Sequence, residues 1–287
     1  MSAASRWGWP ISLIRLEGPD SRRFLHGQSS QAIELAEPGC CLATCLISPT
    51  ARMRGLALAC IDASGLDLLV LSGDGAGIRN QLDRVLFPAD KVRLGPLQPA
   101  VLWQWIGADG PAPGPNRLLP GVDLGSGSEA ALWLQRSGEE LPASLSALPE
   151  QSAEQIEAHR LRCGIPAAPG ELNDDTNPFE LGLAAWVSLN KGCYVGQETL
   201  AKLATYDGVK QQLRHCQSAA PLTAGTSLTT SAGERAGVIT SAQGQQGLAL
   251  VRRSQLDQAT LLAGEQPVEI TMPLAFVAPP VGAGGQG

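Results

Sequence analysis

The chain has 287 residues, of which 44% are hydrophobic and 17% charged, and its formal net charge is −6. This composition excludes an intrinsically disordered chain, because disorder requires fewer apolar residues and a larger charge imbalance. The 21 basic residues against 27 acidic ones argue against a broad basic surface, so we expect no direct nucleic-acid binding.

Three features of the composition indicate the cellular compartment and whether a metal site is expected: the cysteines, the histidines and the length of the apolar stretches. Seven cysteines without a C-x-x-C pair predict reduced thiols. Three widely separated histidines predict no structural zinc site, and we expect no metal ligands. No apolar stretch reaches the length of a signal peptide or a membrane span. We therefore expect a cytoplasmic protein that does not enter a membrane.

The N-terminal region predicts an alternation of strands and helices. Residues 11–16 predict a strand, and Asp20 predicts the start of a helix that carries Phe24, Leu25 and Ile33. Three apolar runs then predict sheet strands, the last two paired as a hairpin: 40–49, 54–61 and 66–73. Asp74 predicts a second helix with one apolar stripe, formed by Ile78, Leu82, Val85 and Leu86.

The middle and C-terminal regions differ in their predicted secondary structure. Residues 107–128 are rich in glycine and proline and predict an exposed loop. Residues 130–135 predict a strand, and residues 150–164 predict a helix that is acidic at its start and basic at its end. From residue 209 onward, short β-prone runs separated by glycines predict a small antiparallel barrel or sandwich.

One short segment, LNKGCYVGQETLAKL at 189–203, carries the chemistry. Cys193 precedes a predicted helix that begins near Gly196, and Lys191 lies two residues before the cysteine. Both the helix N-terminus and the ammonium group favour the thiolate, which is a nucleophile or a soft-metal ligand. Gly192 and Gly196 permit a tight turn and the approach of a ligand. The alternative is a glycine-rich domain junction in which a small cysteine packs.

Residue identity favours the functional reading. The string from Lys191 to Glu198 matches K-G-C-Y-x-G-Q-E, which resembles the signature of the YgfZ family, folate-binding relatives of the glycine-cleavage T-protein. Three further segments resemble the family: LEGPDSRRFLHGQSS, RLRCGIP and NPFELGLAAWVSLNKG. The resemblance covers about residues 11 to 255.

This resemblance implies an α+β fold, with a T-protein-like folate-binding region of mixed sheets and helices and a small C-terminal antiparallel β-barrel. We predict a folate-binding lobe at 1–98, a second α+β lobe at 99–206 that ends in the motif, the barrel at 207–277 and a disordered tail at 278–287. The implied function is that of a tetrahydrofolate-binding accessory protein. Its implied partners are iron–sulfur assembly proteins or client enzymes, including enzymes that modify tRNA.

The resemblance also assigns residues. Cys193 is the implied reactive centre, with Lys191 as the second catalytic group. The implied cofactor-binding residues are Gly192, Tyr194, Gly196, Gln197, Glu198 and Arg160. Independently of the family, Trp103 and Trp105 alternate and would share one strand face, where they could line a pocket for a flat ring. Core packing is the alternative reading of these two tryptophans.

Two other functions stay open. An aminomethyltransferase of the T-protein type needs an acidic group to handle the folate proton. Residues 51–60 contain no acid, and Arg162 stands where the T-protein turn would carry a glutamate. A direct tRNA-binding module would use the one modest basic cluster, which comprises Lys202, Lys210, Arg214 and His215.

Overall fold

A computed structural model describes residues 4–122, 124, 131–280 and 282. The chain forms two compact units: unit 1 comprises Met1–Gln151 and Trp186–Gln197, and unit 2 comprises Ser152–Ala185 and Glu198–Gly287. In the described parts of the chain, no helix is long and apolar enough to cross a membrane.

Unit 1 contains a seven-stranded sheet with helices in the strand connections. Its elements in chain order are β1 Ser5–Glu17, α1 Ser21–Gln28, β2 Cys41–Ile47, β3 Met53–Ile61, β4 Gly65–Gly73, α2 Gly75–Arg84, β5 Arg93–Ile106, β6 Arg117–Leu118, β7 Leu132–Arg136 and α3 Ala143–Ser146. The strand order is β2-β3-β4-β1-β5-β7-β6, and every neighbouring pair is antiparallel.

The N-terminal predictions are confirmed in type, and β3 and β4 pair as predicted. Two helix ends differ. Ile33 lies in a separate 3₁₀ turn after α1, although its side chain is fully buried. The second helix ends at Arg84, so Val85 falls outside it and is exposed. Pro88 explains this early end, because its ring would collide with the carbonyl of Arg84 in a continued helix.

The core of unit 1 lies between α1, α2 and one face of the sheet. Alternate residues of β1, β3 and β4 point into it, as the two-residue period of a strand requires. Its buried side chains include Ile14, Leu16, Leu25, Ile61, Leu66, Leu68, Ile78 and Leu82. Each such side chain contributes ~1.5–3 kcal/mol by leaving water.

Two features of the middle region differ from the sequence prediction. The predicted boundary between residues 98 and 99 falls inside β5, which runs unbroken from Arg93 to Ile106. The predicted exposed loop at 107–128 contains β6, which pairs with β7, and the side chains of Leu118 and Leu124 within it are buried. Residue 123 and residues 125–128 of that loop lie outside the described residues.

The described residues of unit 2 form a closed six-stranded barrel and two α-helices. Its elements are α4 Ala153–Cys163, α5 Gln197–Thr205, β8 Gln211–Ser218, β9 Ser227–Thr229, β10 Arg235–Gln243, β11 Gln246–Arg252, β12 Thr260–Ala263 and β13 Gln266–Thr271. The first residue of α5 is counted with unit 1. The barrel order β10-β11-β8-β13-β12-β9 confirms the antiparallel barrel and leaves no open sheet edge.

The helix predicted at 150–164 is confirmed as α4 and has a complete set of end signals. Ser152 and Gln155 form a reciprocal capping box at its start. Gly164 ends it in the left-handed conformation, with φ of 74°. The predicted disordered tail, 278–287, stays a prediction, because residues 281 and 283–287 lie outside the described residues.

Candidate functional site

Cys193 lies exposed in the Trp186–Gln197 segment of unit 1. Glycines on either side of it adopt left-handed backbone conformations, with φ of 92° at Gly192 and 81° at Gly196. A residue with a Cβ would be strained at either position. The predicted tight turn around the cysteine is therefore present.

The two glycines serve different purposes. A Cβ on Gly196 would lie 2.7 Å from the carbonyl oxygen of Ser48 and 2.8 Å from Cδ1 of Ile47, so the motif backbone packs directly on the β2–β3 connection. A Cβ on Gly192 would meet nothing within 4 Å. Gly196 thus anchors the turn, whereas Gly192 leaves open space next to Cys193.

Reciprocal contacts hold the motif against the end of α1. The ammonium group of Lys191 donates a hydrogen bond to the carbonyl oxygen of His26. Nε2 of His26 lies 2.7 Å from the carbonyl oxygen of Lys191. The amide of Val195 donates to the carbonyl of Gly27 at 3.0 Å. These contacts fix the backbone on both sides of Cys193.

The environment of Lys191 differs from the one expected from sequence. Its side chain is buried, and its Nζ lies 4.4 Å from the centroid of the Tyr194 ring. Burial lowers the pKa of Lys191 to about 7, against an opposing effect of Glu34. The group therefore loses its proton more readily than a surface lysine does. Its nitrogen is committed to His26, so it is not the free, fully charged neighbour that was expected to stabilise the thiolate.

The helix after the cysteine is confirmed. α5 begins at Gln197, four residues after Cys193, and Glu198 lies in its first turn. The amide of Gln197 donates to the carbonyl of Tyr194 at 3.2 Å, which tightens the entry into the helix. The carboxylate of Glu198 pairs with Lys202 at 2.7 Å, and this pairing lowers the pKa of Glu198.

Tyr194 supplies a buried polar atom suited to a ligand. Its side chain is 8% exposed, and its hydroxyl has no hydrogen-bond partner among the described residues. Burial, with a smaller effect of Cys45, raises the pKa of Tyr194 to about 12. Buried hydroxyls are rarely left unpaired, so this group calls for a partner supplied from outside the protein. The open space at Gly192 lies on the exposed side of the turn, next to Cys193.

Ser30 and His26 belong to the site although the motif does not contain them. The hydroxyl of Ser30 accepts from the amide of Cys45 at 2.8 Å and donates to the carbonyl of Trp186 at 2.7 Å. The carbonyl of Ser30 accepts from the amide of Ser188 at 2.9 Å. Ser30 thus ties β2 to the segment that leads into the motif. The only sequence signal for both residues is their place in LEGPDSRRFLHGQSS.

Arg160 lies on α4 in unit 2, and all three of its guanidinium nitrogens make hydrogen bonds. It makes two hydrogen bonds to Glu157, at 2.8 and 2.7 Å, and one to the carbonyl of Ile165 at 2.7 Å. It also lies 3.4 Å from the carboxylate of Glu171, which is fully buried. That carboxylate accepts from Ala167, Thr240 and Ser241. These contacts give Arg160 a structural role.

Trp103 and Trp105 share one sheet face, as expected, since they lie opposite Gly8 and Arg6 of β1. The guanidinium carbon of Arg6 lies 4.6 Å from the centroid of the Trp103 ring. Nε1 of Trp103 donates to Gln135 at 2.8 Å. A ligand ring would have to displace Arg6 to stack on that face of Trp103, so the contacts favour the packing role.

The basic cluster after the motif is partly withdrawn from solvent. Lys202 pairs with Glu198. Arg214 is buried, and its guanidinium lies 5.1 Å from the Phe276 ring. Burial lowers the pKa of Arg214 and of His215. The cluster therefore offers little free positive charge to a phosphate backbone.

Three comparisons with known proteins agree with this architecture. The chain superposes on the crystal structure of the glycine cleavage system aminomethyltransferase T from Bartonella henselae with a TM-score of 0.77, covering 98% of this chain and 88% of that one at 17% identity. The chain has the aminomethyltransferase T fold. At this identity the likeness shows the fold alone.

Two comparisons at the level of sequence add a domain family and a similar protein. Residues 210–276 match the family model of the CAF17 C-terminal beta-barrel domain. A putative chloroplastic transferase of Arabidopsis thaliana is 30% identical over 263 residues, which cover 80% of this chain and 60% of that protein. The chain thus spans about 60% of the length of this curated relative. The family model thus covers the C-terminal barrel, and the likeness to the transferase extends over most of the chain.

Proposed function

We propose that the protein binds a reduced folate, tetrahydrofolate or a derivative, and supports iron–sulfur enzymes as an accessory protein, with Cys193 as its reactive centre. One observation carries the proposal. An exposed thiol lies on a fixed turn next to open space, on an aminomethyltransferase T fold, and the following residue, Tyr194, has an unpaired buried hydroxyl. A rigid turn that exposes a cysteine suits contact with a carbon unit or a cluster atom better than packing.

In this proposal the motif divides the work. Tyr194 offers its hydroxyl to the ligand, and Gly192 leaves space for it. Lys191 and Gly196 position the turn through His26 and Ser48. Trp103 and Trp105 stay candidates for a ring-stacking wall, with Arg6 as the group to be displaced. When bound, the folate would supply a carrier for a one-carbon unit.

The residues argue against aminomethyl transfer as the main activity. That reaction needs an acid to handle the folate proton. The segment 51–60, which forms the end of the β2–β3 connection and most of β3, contains no carboxylate. An accessory role requires folate binding and an accessible thiol without this acid.

The test is a tetrahydrofolate titration by calorimetry on the wild-type protein and on Cys193→Ala, with Cys40→Ala as the control for an exposed cysteine outside the motif. We expect all three to bind with similar affinity. In cells lacking the wild-type protein, we expect only Cys193→Ala to fail to restore the activity of an iron–sulfur tRNA-modifying enzyme. Absence of folate binding in the folded wild-type protein would refute the proposal.

Two further assays separate the alternative functions. Robust formation of methylene-tetrahydrofolate in a glycine-cleavage T assay would assign the protein as an aminomethyltransferase. Binding to tRNA that falls steeply with salt concentration would instead assign a direct tRNA-binding module.

A further inference from the structure

Two cysteines outside the motif face each other across neighbouring strands. Cys41 begins β2, and Cys60 is its direct register partner in β3. Their Sγ atoms lie 2.6 Å apart. None of the seven cysteines, all of which lie among the described residues, is in a disulfide in this structure.

The strand pairing places this pair where a disulfide can form. The amide of Ile61 donates to the carbonyl of Cys40 at 2.8 Å, so the preceding pair in the ladder is hydrogen-bonded. Antiparallel ladders alternate, which makes Cys41 and Cys60 a non-hydrogen-bonded pair with Cα atoms about 4.5 Å apart. Disulfides accept Cα separations of about 4.4–6.8 Å, so the bond needs no large backbone movement.

The surroundings make the pair accessible from one side. Cys41 is buried, whereas Cys60 is partly exposed, and β2 is an edge strand of the sheet. On its other side Cys60 is paired with Asp67 of β4. The hydrogen bond to Cys41, burial and the charge of Asp67 raise the pKa of the Cys60 thiol well above its ordinary value.

We propose that Cys41 and Cys60 are a reversible redox modification site that is oxidised to a disulfide by low-molecular-weight disulfides such as oxidised glutathione. The thiolate of Cys60, after losing its proton to solvent, attacks one sulfur of the glutathione disulfide and releases one glutathione. The thiolate of Cys41 then displaces the second glutathione and forms the protein disulfide. Two protein thiols lose two electrons, and one glutathione disulfide becomes two glutathione molecules.

The proposed disulfide would constrain the chain segment on which the candidate functional site packs. The bond closes residues 41–60 into a loop that contains Ile47 and Ser48, against which Gly196 packs. It also fixes the start of β2, whose Cys45 amide is held by Ser30. The proposal itself does not depend on folate binding, because it concerns only the two thiols.

The test measures the redox state of the full chain in glutathione buffers. The protein is equilibrated over a range of oxidised to reduced glutathione ratios, quenched with acid, alkylated and digested with trypsin. Cys60 is the only cysteine of peptide 55–79, and Cys41 lies in peptide 24–52 with Cys40 and Cys45. We expect these two peptides to be linked at oxidising ratios and separate at reducing ones. Because the pKa of Cys60 is raised, linkage should form about tenfold faster at pH 8 than at pH 7.

Variants identify the partner of Cys60. Cys40→Ser and Cys45→Ser should keep the linkage, whereas Cys41→Ser should abolish it. Fragmentation of the linked wild-type peptide gives the same assignment even if a variant does not fold. Linkage through Cys40 or Cys45, or two free thiols at every ratio in the folded protein, would overturn the proposal.

Discussion

Lys191 and His26 each hydrogen-bond the backbone carbonyl of the other. A carbonyl oxygen only accepts, so Nε2 of His26 carries a proton. Nδ1 of His26 lies 3.2 Å from the amide of Glu34 and accepts from it. These two contacts fix one neutral tautomer of the imidazole. The motif is therefore held by a lysine and a histidine that act as positioning residues.

Stability should depend on pH through Lys191. Its folded pKa of about 7 lies below the unfolded value near 10.5, so the unfolded chain binds more protons between these pH values. Folding stability from this group therefore rises with pH across that window, by up to about 1.4 kcal/mol per unit. Lys191→Met keeps the apolar stem and removes the titration. Urea unfolding from pH 7 to 10 should show the wild-type protein gaining stability relative to this variant as pH rises, and parallel curves would contradict the prediction.

Gly196→Ala should destabilise the protein more than Gly192→Ala does. Both glycines have positive φ, so either substitution costs about 1–2 kcal/mol in backbone strain. Only the Cβ at 196 also collides with Ser48 and Ile47, which adds about 1–3 kcal/mol. Gly192→Ala serves as the matched control in chemical unfolding. Equal losses for the two variants would mean that the motif does not pack on the β2–β3 connection.

Arg160→Met should reduce stability by about 3–5 kcal/mol, because it leaves the buried carboxylate of Glu171 without its cationic partner. Arg253→Met is the control in the same unit, since Arg253 and Asp207 form an exposed pair worth about 0–1 kcal/mol. Thermal and urea unfolding measure both changes. A stable Arg160→Met protein that binds folate weakly would restore the ligand role that the sequence assigned to Arg160.

Iodoacetamide should alkylate the exposed Cys193 and Cys40 first in the folded protein. Cys45 and Cys216 are fully buried, and burial raises the pKa of each to about 12, so they should react only after unfolding. Peptide mass spectrometry over a time course at neutral pH gives the order. Labelling in urea provides the control in which all seven react. Cys45 reacting before Cys193 would show that the motif turn does not expose its thiol.

The features that sequence predicted correctly depend on neighbouring residues. The start of α5, the turn at Gly192 and Gly196 and the presence of α4 follow from local backbone preferences. The environment of Lys191 does not, because it depends on His26, which lies 165 residues earlier in the chain. The sequence of a short motif does not show whether its lysine is exposed or is buried against a distant residue.

The contacts of Arg160 and the division into units both depend on residues that are distant in the sequence. The guanidinium of Arg160 meets Glu171, whose carboxylate also accepts from two residues of β10, a strand about 70 residues later. The predicted lobes were continuous in the sequence, whereas unit 1 is discontinuous. It includes the Trp186–Gln197 segment, which follows the first segment of unit 2 in the chain. No local pattern signals such a return.

The discontinuity of unit 1 also sets the order of events during protein synthesis. A ribosome that has made residues 1–151 has produced the seven strands of the sheet but none of the K-G-C-Y motif. The nascent chain must extend through residue 197 and emerge from the exit tunnel before the turn can dock at His26 and Ser48. Until then, the sheet of unit 1 lacks the contacts that the motif makes with His26 and Ser48.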